Sequence, residues 1–128
     1  MKVKDMEDFR IIIAGSREFN NYRLLVNKVS YLIKEKSKTH NIIIISGTAR
    51  GADKLGEYWA ETTGYQVERY PADWNKYGKR AGYIRNKQMA EVADALIAFN
   101  KSPNGTNGTN NMIQIMKEMK KSVRTVWW

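Results

Sequence analysis

Apolar and polar positions alternate along the chain in blocks of two periods. Arg10-Ile11-Ile12-Ile13-Ala14 and Asn41-Ile42-Ile43-Ile44-Ile45 are continuous β-branched runs, the pattern of strands covered on both faces. Between them, from Tyr22 to about Lys36, Leu24, Leu25, Lys28, Val29, Leu32 and Ile33 recur at spacings of three and four. Lysines fill the other face, which predicts an amphipathic helix. Leu55, Tyr58, Trp59 and Thr62 mark a second helix stopped at Gly64, and Gln66-Val67-Glu68-Arg69-Tyr70 a third strand broken by Pro71. A polar stretch from Pro71 to Gly82 leads to a helix over about Tyr83 to Val92 and a fourth strand, Ala95-Leu96-Ile97-Ala98-Phe99. After a Gly- and Asn-rich loop, a helix over about Thr109 to Lys121 precedes a last strand, Val123 to Trp127.

The order β-α-β-α-β-loop-α-β-α-β with short connections predicts an α/β fold: a three-layer α/β/α Rossmann-like domain over residues 1–128, with a mainly parallel sheet of about five strands. Ligands of such sheets bind outside the carboxyl ends of the strands, where strand order reverses. The residues just after each strand therefore carry the search for function.

Composition narrows the chemistry. The 128 residues contain no cysteine, which excludes disulfides, thiol nucleophiles and cysteine-bound metals, and the single His40 excludes multi-histidine sites. No apolar run approaches the ~20 residues of a membrane span, so no membrane partner and a cytoplasmic location are expected. Lys and Arg outnumber Asp and Glu by 22 to 13, a net charge of +9. That balance suits a nucleic-acid binder, a binder of anionic small molecules or a well-solvated surface.

Three loops offer anion chemistry. Gly15-Ser16-Arg17 follows the first strand with a flexible backbone, a hydroxyl and a phosphate-matching guanidinium. By itself it reads equally as a conformational turn. Ser46-Gly47-Thr48-Ala49-Arg50-Gly51 runs into a helix whose first N–H groups point at the same space. Asp53 just beyond reads either as a ligand contact or as a helix cap. The tract Asn104-Gly105-Thr106-Asn107-Gly108-Thr109-Asn110 repeats the arrangement after the fourth strand. None is a Walker loop or a GxGxxG fingerprint. Between Arg69 and Lys87, six basic residues and one acid, Asp73, interleave with Tyr70, Trp74, Tyr77 and Tyr83, a mixture that can stack a base and neutralise a phosphate. Lys76 and Lys79 read as solvated surface. Arg85 and Met89 share one helix face with Asn86 beside them.

GSREFNNY, ISGTARGADKLGEYWA, YPADWNKYGKRAGYIRNKQM and NGTNNMI, in that order, resemble the YspA-like family of the Rossmann-like SLOG superfamily, from about Phe9 to Trp127. The resemblance implies a binder or processor of nucleotides. It places Gly15, Ser16, Arg17, Ser46, Gly47, Arg50, Gly51, Arg85, Asn86, Gly108 and Thr109 around the ligand. The phosphoribohydrolase branch of that superfamily uses a PGGxGTxxE loop with a catalytic glutamate. Here the stretch is one residue longer, Met112 stands three after Thr109, and Asn110 and Asn111 supply amides, so binding is favoured over hydrolysis. Glu18, Asp53 and Asp73 are the remaining candidate acids.

The expected partner is a phosphorylated nucleotide-derived small molecule, bound by the three loops with Trp74 or Tyr83 on its base or ribose. No cofactor is expected. A nucleotide N-glycosidase with Asp53 or Asp73 as its acid, and nucleic-acid binding through the basic surface, rank behind it. A homo-oligomer is expected, with Trp127 and Trp128 at the interface or covering the sheet edge.

Overall fold

The isoleucine-rich runs pair side by side in a computed structural model that describes residues 5–128. Five strands, β1 (Glu7–Gly15), β2 (His40–Ser46), β3 (Gln66–Arg69), β4 (Ala95–Asn100) and β5 (Ser122–Trp127), form one all-parallel sheet in the order β3-β2-β1-β4-β5. Ile11 stands opposite Ile44 on one side and Ala95 on the other. β2 and β4 are buried along most of their length, β1 is buried over Ile11–Ala14, and the two edges are partly exposed, as expected of a doubly covered parallel sheet.

Alternate residues feed two cores. Ile11, Ile13, Ile42 and Ile44 pack with Leu25, Val29, Trp59 and Ala60 of α1 (Tyr22–Ile33) and α2 (Ala52–Thr63). Ile12, Ala14, Ile45 and Leu96 pack on the opposite face with Met89, Ala90, Met112 and Met116 of α4 (Ala81–Val92) and α5 (Asn107–Glu118). The fold is thus the expected Rossmann-like α/β/α arrangement. The chain steps from β1 to β2 to β3, then returns across the sheet to β4, so order reverses between β1 and β4 and their following loops diverge there.

Differences from expectation lie at element ends. The helix after β1 stops at Ile33 instead of Lys36, and a short 3-10 turn covers Lys36–Lys38. The polar stretch after Pro71 contains a further short helix, α3 (Trp74–Tyr77), capped by Asp73, whose Oδ1 accepts the Lys76 N–H at 3.1 Å, and a 3-10 turn over Gly78–Arg80. Helix α4 begins at Ala81 rather than Tyr83, and α5 runs from Asn107 to Glu118 rather than from Thr109 to Lys121. Gly64 ends α2 in the left-handed conformation, φ +89°, as expected. The terminal indoles part company. Trp128 packs edge-on against Phe19 at 5.4 Å and donates to the Phe99 carbonyl at 3.2 Å, whereas Trp127 on the edge strand β5 is half exposed. Among the described residues, no helix is long and apolar enough to cross a membrane.

Candidate functional site

The divergence of the loops after β1 and β4 leaves a cavity of about 350 Å³, and a second of about 310 Å³ opens beside it. Close backbone approaches build the floor. A Cβ on Gly15 would overlap the Phe99 carbonyl, to which Ser16 N–H donates at 3.2 Å, so the β1 turn lies directly on β4. Gly51, at φ +86°, sits so close to the Ser16 and Arg17 carbonyls that any side chain would collide. Ala52 N–H donates to the Ser16 carbonyl at 3.3 Å, locking the start of α2 against the β1 turn.

The inner cavity is bordered by Ser16, Arg17 and Glu18 after β1, by Ala49, Arg50 and Asp53 at the start of α2, by Arg85, Asn86 and Met89 of α4, and by Thr106, Gly108 and Thr109 at the start of α5. The outer cavity is bordered by Gly47, Thr48, Pro71, Ala72 and Trp74, and shares Arg17, Ala49, Arg50 and Arg85 with the inner one. Most of the residues singled out in the sequence are therefore brought together, three guanidiniums among them. Arg17 and Arg50 are exposed and form no ion pair among the described residues.

Arg85 is held from behind. Its Nη1 donates to the Gly47 carbonyl and its Nε to Asn86 Oδ1 at 3.0 Å. Burial lowers its pKa, the nearby Asp53 charge opposes that, and the Arg17 charge adds to it. Asp53 does not cap α2 through its side chain; the cap position is Gly51, and Asp53 Oδ2 instead accepts the Ala49 N–H of the preceding loop at 3.2 Å. Burial pushes the Asp53 carboxyl up to about 6, against the downward pull of the Ala49 amide and of Arg85. Gly47 is wedged between the two: a Cβ there would lie 2.6 Å from Arg85 Nη1 and 2.8 Å from Asp53 Oδ2.

At α5, Asn86 Nδ2 donates to the Gly108 carbonyl at 3.2 Å and to Asn111 Oδ1 at 2.9 Å, which ties α4 to the first turn of α5. Thr106, the residue before that helix, makes no side-chain cap, and no acid occupies the first turn, so the helix presents its N-terminal N–H groups and partial positive charge to the cavity edge.

Four of the sequence-predicted residues border neither cavity. Ser46 lies beneath its loop, donating to Glu57 Oε2 at 2.6 Å and accepting the Thr48 N–H at 3.0 Å. Gly51 serves the close approach described above. Gly105, at φ +77°, and Asn110 belong to a latch: Asn100 Nδ2 donates to Asn110 Oδ1 at 2.8 Å, Asn110 Nδ2 to the Asn104 carbonyl at 3.0 Å, and Asn100 Oδ1 accepts the Thr106 N–H at 3.2 Å. Tyr83 and Asp73 also border neither cavity, and Met112 is a core residue. Sequence reasoning missed Glu57. This buried acid on α2 accepts from Ser46 and from Arg69 Nε at 2.9 Å and so supports the loop from below; its i, i+4 spacing from Asp53 was the available signal.

With this geometry in view, similarity to known proteins is informative. A sequence model of the YspA, cpYpsA-related SLOG family matches residues 9–77. The gene 61 protein of Mycobacterium phage D29 is 31% identical over 96 residues, spanning 70% of this chain and 75% of that protein. Among solved structures, DNA processing protein A from Streptococcus pneumoniae superposes with a TM-score of 0.70 at 14% identity, over 93% of this chain and 50% of that one. The chain thus spans half the length of that protein. The protein TM1055 superposes with a TM-score of 0.63 at 14% identity, over 91% of this chain and 72% of its own. These two structures speak for the fold. The sequence match covers more than half of the chain, including the loops after β1 and β2 that carry Arg17 and Arg50, and the chain belongs to the YspA, cpYpsA-related SLOG family.

Proposed function

We propose that this protein binds a phosphorylated, nucleotide-derived small molecule at the carboxyl ends of β1 and β4. The observation that carries this reading is the convergence of Arg17, Arg50 and Arg85 on a wall common to two adjoining cavities. Guanidinium forks match phosphate oxygens in geometry and charge. The N-terminus of α5 adds N–H donors at the edge of the inner cavity. Membership of a SLOG family supports a nucleotide-related ligand. A thermal-shift screen of nucleotides tests it. A ligand at a hundred times its Kd is expected to add about 2.7 kcal/mol of stability. An Arg17→Ala/Arg50→Ala double variant is expected to lose that shift while unfolding normally, because both side chains are exposed and form no ion pair among the described residues. A screen in which no nucleotide raises the melting temperature overturns the reading.

One observation favours a second reading, release of the base from a nucleoside monophosphate. Asp53 borders the inner cavity with its carboxyl pushed up to about 6, while Asp73 caps α3 outside it. Protonated Asp53 would give its proton to the departing base as the N-glycosidic bond breaks, and water would add to the ribose carbon as its released proton returns to the Asp53 carboxylate. Incubation with nucleoside monophosphates would then yield free base and ribose 5-phosphate; unchanged substrate at high protein concentration removes this reading. Binding of oligonucleotides that collapses steeply with salt would instead favour a nucleic-acid role for the basic surface.

A further inference from the structure

The two edges of the sheet are built differently. β3 spans four residues, and its charged side chains are held in ion pairs, Glu68 with Arg10 at 3.0 Å and Arg69 with Glu57 and Glu61 at 2.9 Å each. So short and charged an edge gives a further strand little to pair with. β5 spans six residues, is rich in side chains that favour strands, and carries Arg124 as its one charged group. It ends the strand order, so among the described residues nothing pairs with its outer side. Trp128 N–H donates to the Asn100 carbonyl at 3.1 Å and the Trp128 carbonyl accepts the Ser102 N–H at 2.8 Å, so Trp128 turns its backbone groups toward β4. Bonding residues alternate along a parallel ladder. Val126, Arg124 and Ser122 therefore face β4 as well, and the N–H and C=O groups of Val123, Thr125 and Trp127 point outward.

We propose that this edge pairs antiparallel with the same edge of a second copy, about a two-fold axis at Thr125, so that one continuous sheet runs through both copies. An axis normal to the sheet keeps each residue on its own face. Centred on Thr125, it pairs Thr125 with its own copy and Val123 with Trp127, and every outward backbone group gains a partner. Arg124 then stands opposite Val126, whereas an axis at Arg124 would set two guanidiniums against each other. Val123 packs on the core beneath α4 and α5, and Trp127, an even number of residues along the strand, is half exposed on the same face. Each pairing thus covers an indole with a β-branched side chain. Trp128 takes no part, because it packs on Phe19 of its own chain. This self-complementarity in backbone register, charge and side-chain pairing selects a second copy over an unrelated extended peptide.

Sedimentation of the full chain over roughly 10 µM to 1 mM tests this, since a small interface gives weak association. Salt at about 0.3 M screens the +9 charge of each copy. The mass is expected to rise with concentration from 14.8 kDa toward twice that value. Thr125→Pro removes an outward N–H that the ladder to β4 does not use, so the variant is expected to fold and to keep the single-chain mass throughout. A second pair of variants decides the matter should proline disturb the strand. Thr125→Lys and Thr125→Glu each set like charges opposite each other across the axis, so each alone is expected to be monomeric and an equimolar mixture to recover the dimer. A single-chain mass of the unsubstituted protein at every concentration overturns the proposal. So does a folded Thr125→Pro protein that still dimerises, or a mixture of the Lys and Glu variants that assembles no better than either alone.

Discussion

Asp53 and Glu57 stand one turn apart on α2, each about 5% exposed, yet their surroundings differ in kind. Glu57 is enclosed by donors: the Ser46 hydroxyl at 2.6 Å, Arg69 Nε at 2.9 Å and Lys54 Nζ at 3.7 Å. Asp53 accepts the Ala49 N–H and faces Arg85, whose own donors are directed to the Gly47 carbonyl and the Asn86 amide. Burial at Asp53 therefore outweighs its compensation, and its carboxyl is pushed up to about 6. The difference separates a carboxylate that belongs to the framework from one that borders a cavity with acceptor capacity for a ligand.

The contrast predicts opposite effects of removing the two acids. Glu57→Ala leaves the buried Ser46 hydroxyl without its acceptor, while the exposed Arg69 keeps Glu61, and is expected to destabilise the fold by about 2 kcal/mol in urea denaturation. A loss below about 1 kcal/mol would place the two acids in the same class. At Asp53 the folded pKa of about 6 lies above the ordinary 3.8, so the folded state binds the proton more tightly. Its contribution to stability is fully present below about pH 4 and is lost as pH rises through 6. Asp53→Asn, which keeps an acceptor oxygen and cannot ionise, is therefore expected to be more stable than the parent at pH 8. The gain is at most about 3 kcal/mol, at roughly 1.4 kcal/mol per pKa unit, and vanishes near pH 4. Parallel stability profiles of the two proteins between pH 4 and 8 would contradict the assignment.

The sheet was legible because Ile11–Ile13 and Ile42–Ile45 are long β-branched runs that only a doubly covered strand can bury, and Gly64 supplied an unambiguous helix stop. The arginine wall was legible because strand-end loops in such a fold converge at the reversal of strand order. Helix α3 escaped because four residues are too few to show a period. Gly105 and Asn110 looked like ligand residues because Gly-Asn-Thr tracts serve anion sites and loop latches alike. Only the reciprocal bonds among Asn100, Asn104 and Asn110 tell the two uses apart. Glu57 escaped for a related reason: a glutamate on an amphipathic helix reads as solvent-facing until Ser46 and Arg69, eleven and twelve residues away, are seen to close on it.

Both acids act on one loop, and its backbone offers the finest test of their difference. Thr48 holds φ +66°, a left-handed conformation that costs a β-branched residue about 1–2 kcal/mol. From one side its N–H donates to Ser46 Oγ, whose own proton goes to Glu57; from the other, the next amide, Ala49, donates to Asp53. Thr48→Gly removes the left-handed penalty but frees the unfolded chain, an opposing effect of about 0.4–1 kcal/mol, so a net gain of about 0.5 kcal/mol is expected. In the Glu57→Ala background the Ser46 hydroxyl loses its acceptor and no longer fixes Thr48, the loop relaxes, and the gain is expected to fall to zero. In the Asp53→Asn background the amide oxygen still accepts from Ala49, so the gain is expected to persist. A double-mutant cycle read by denaturant midpoint measures both couplings. Equal coupling of Thr48 to the two acids would mean that Asp53 clamps the loop as Glu57 does, and its place on the cavity wall would then be structural.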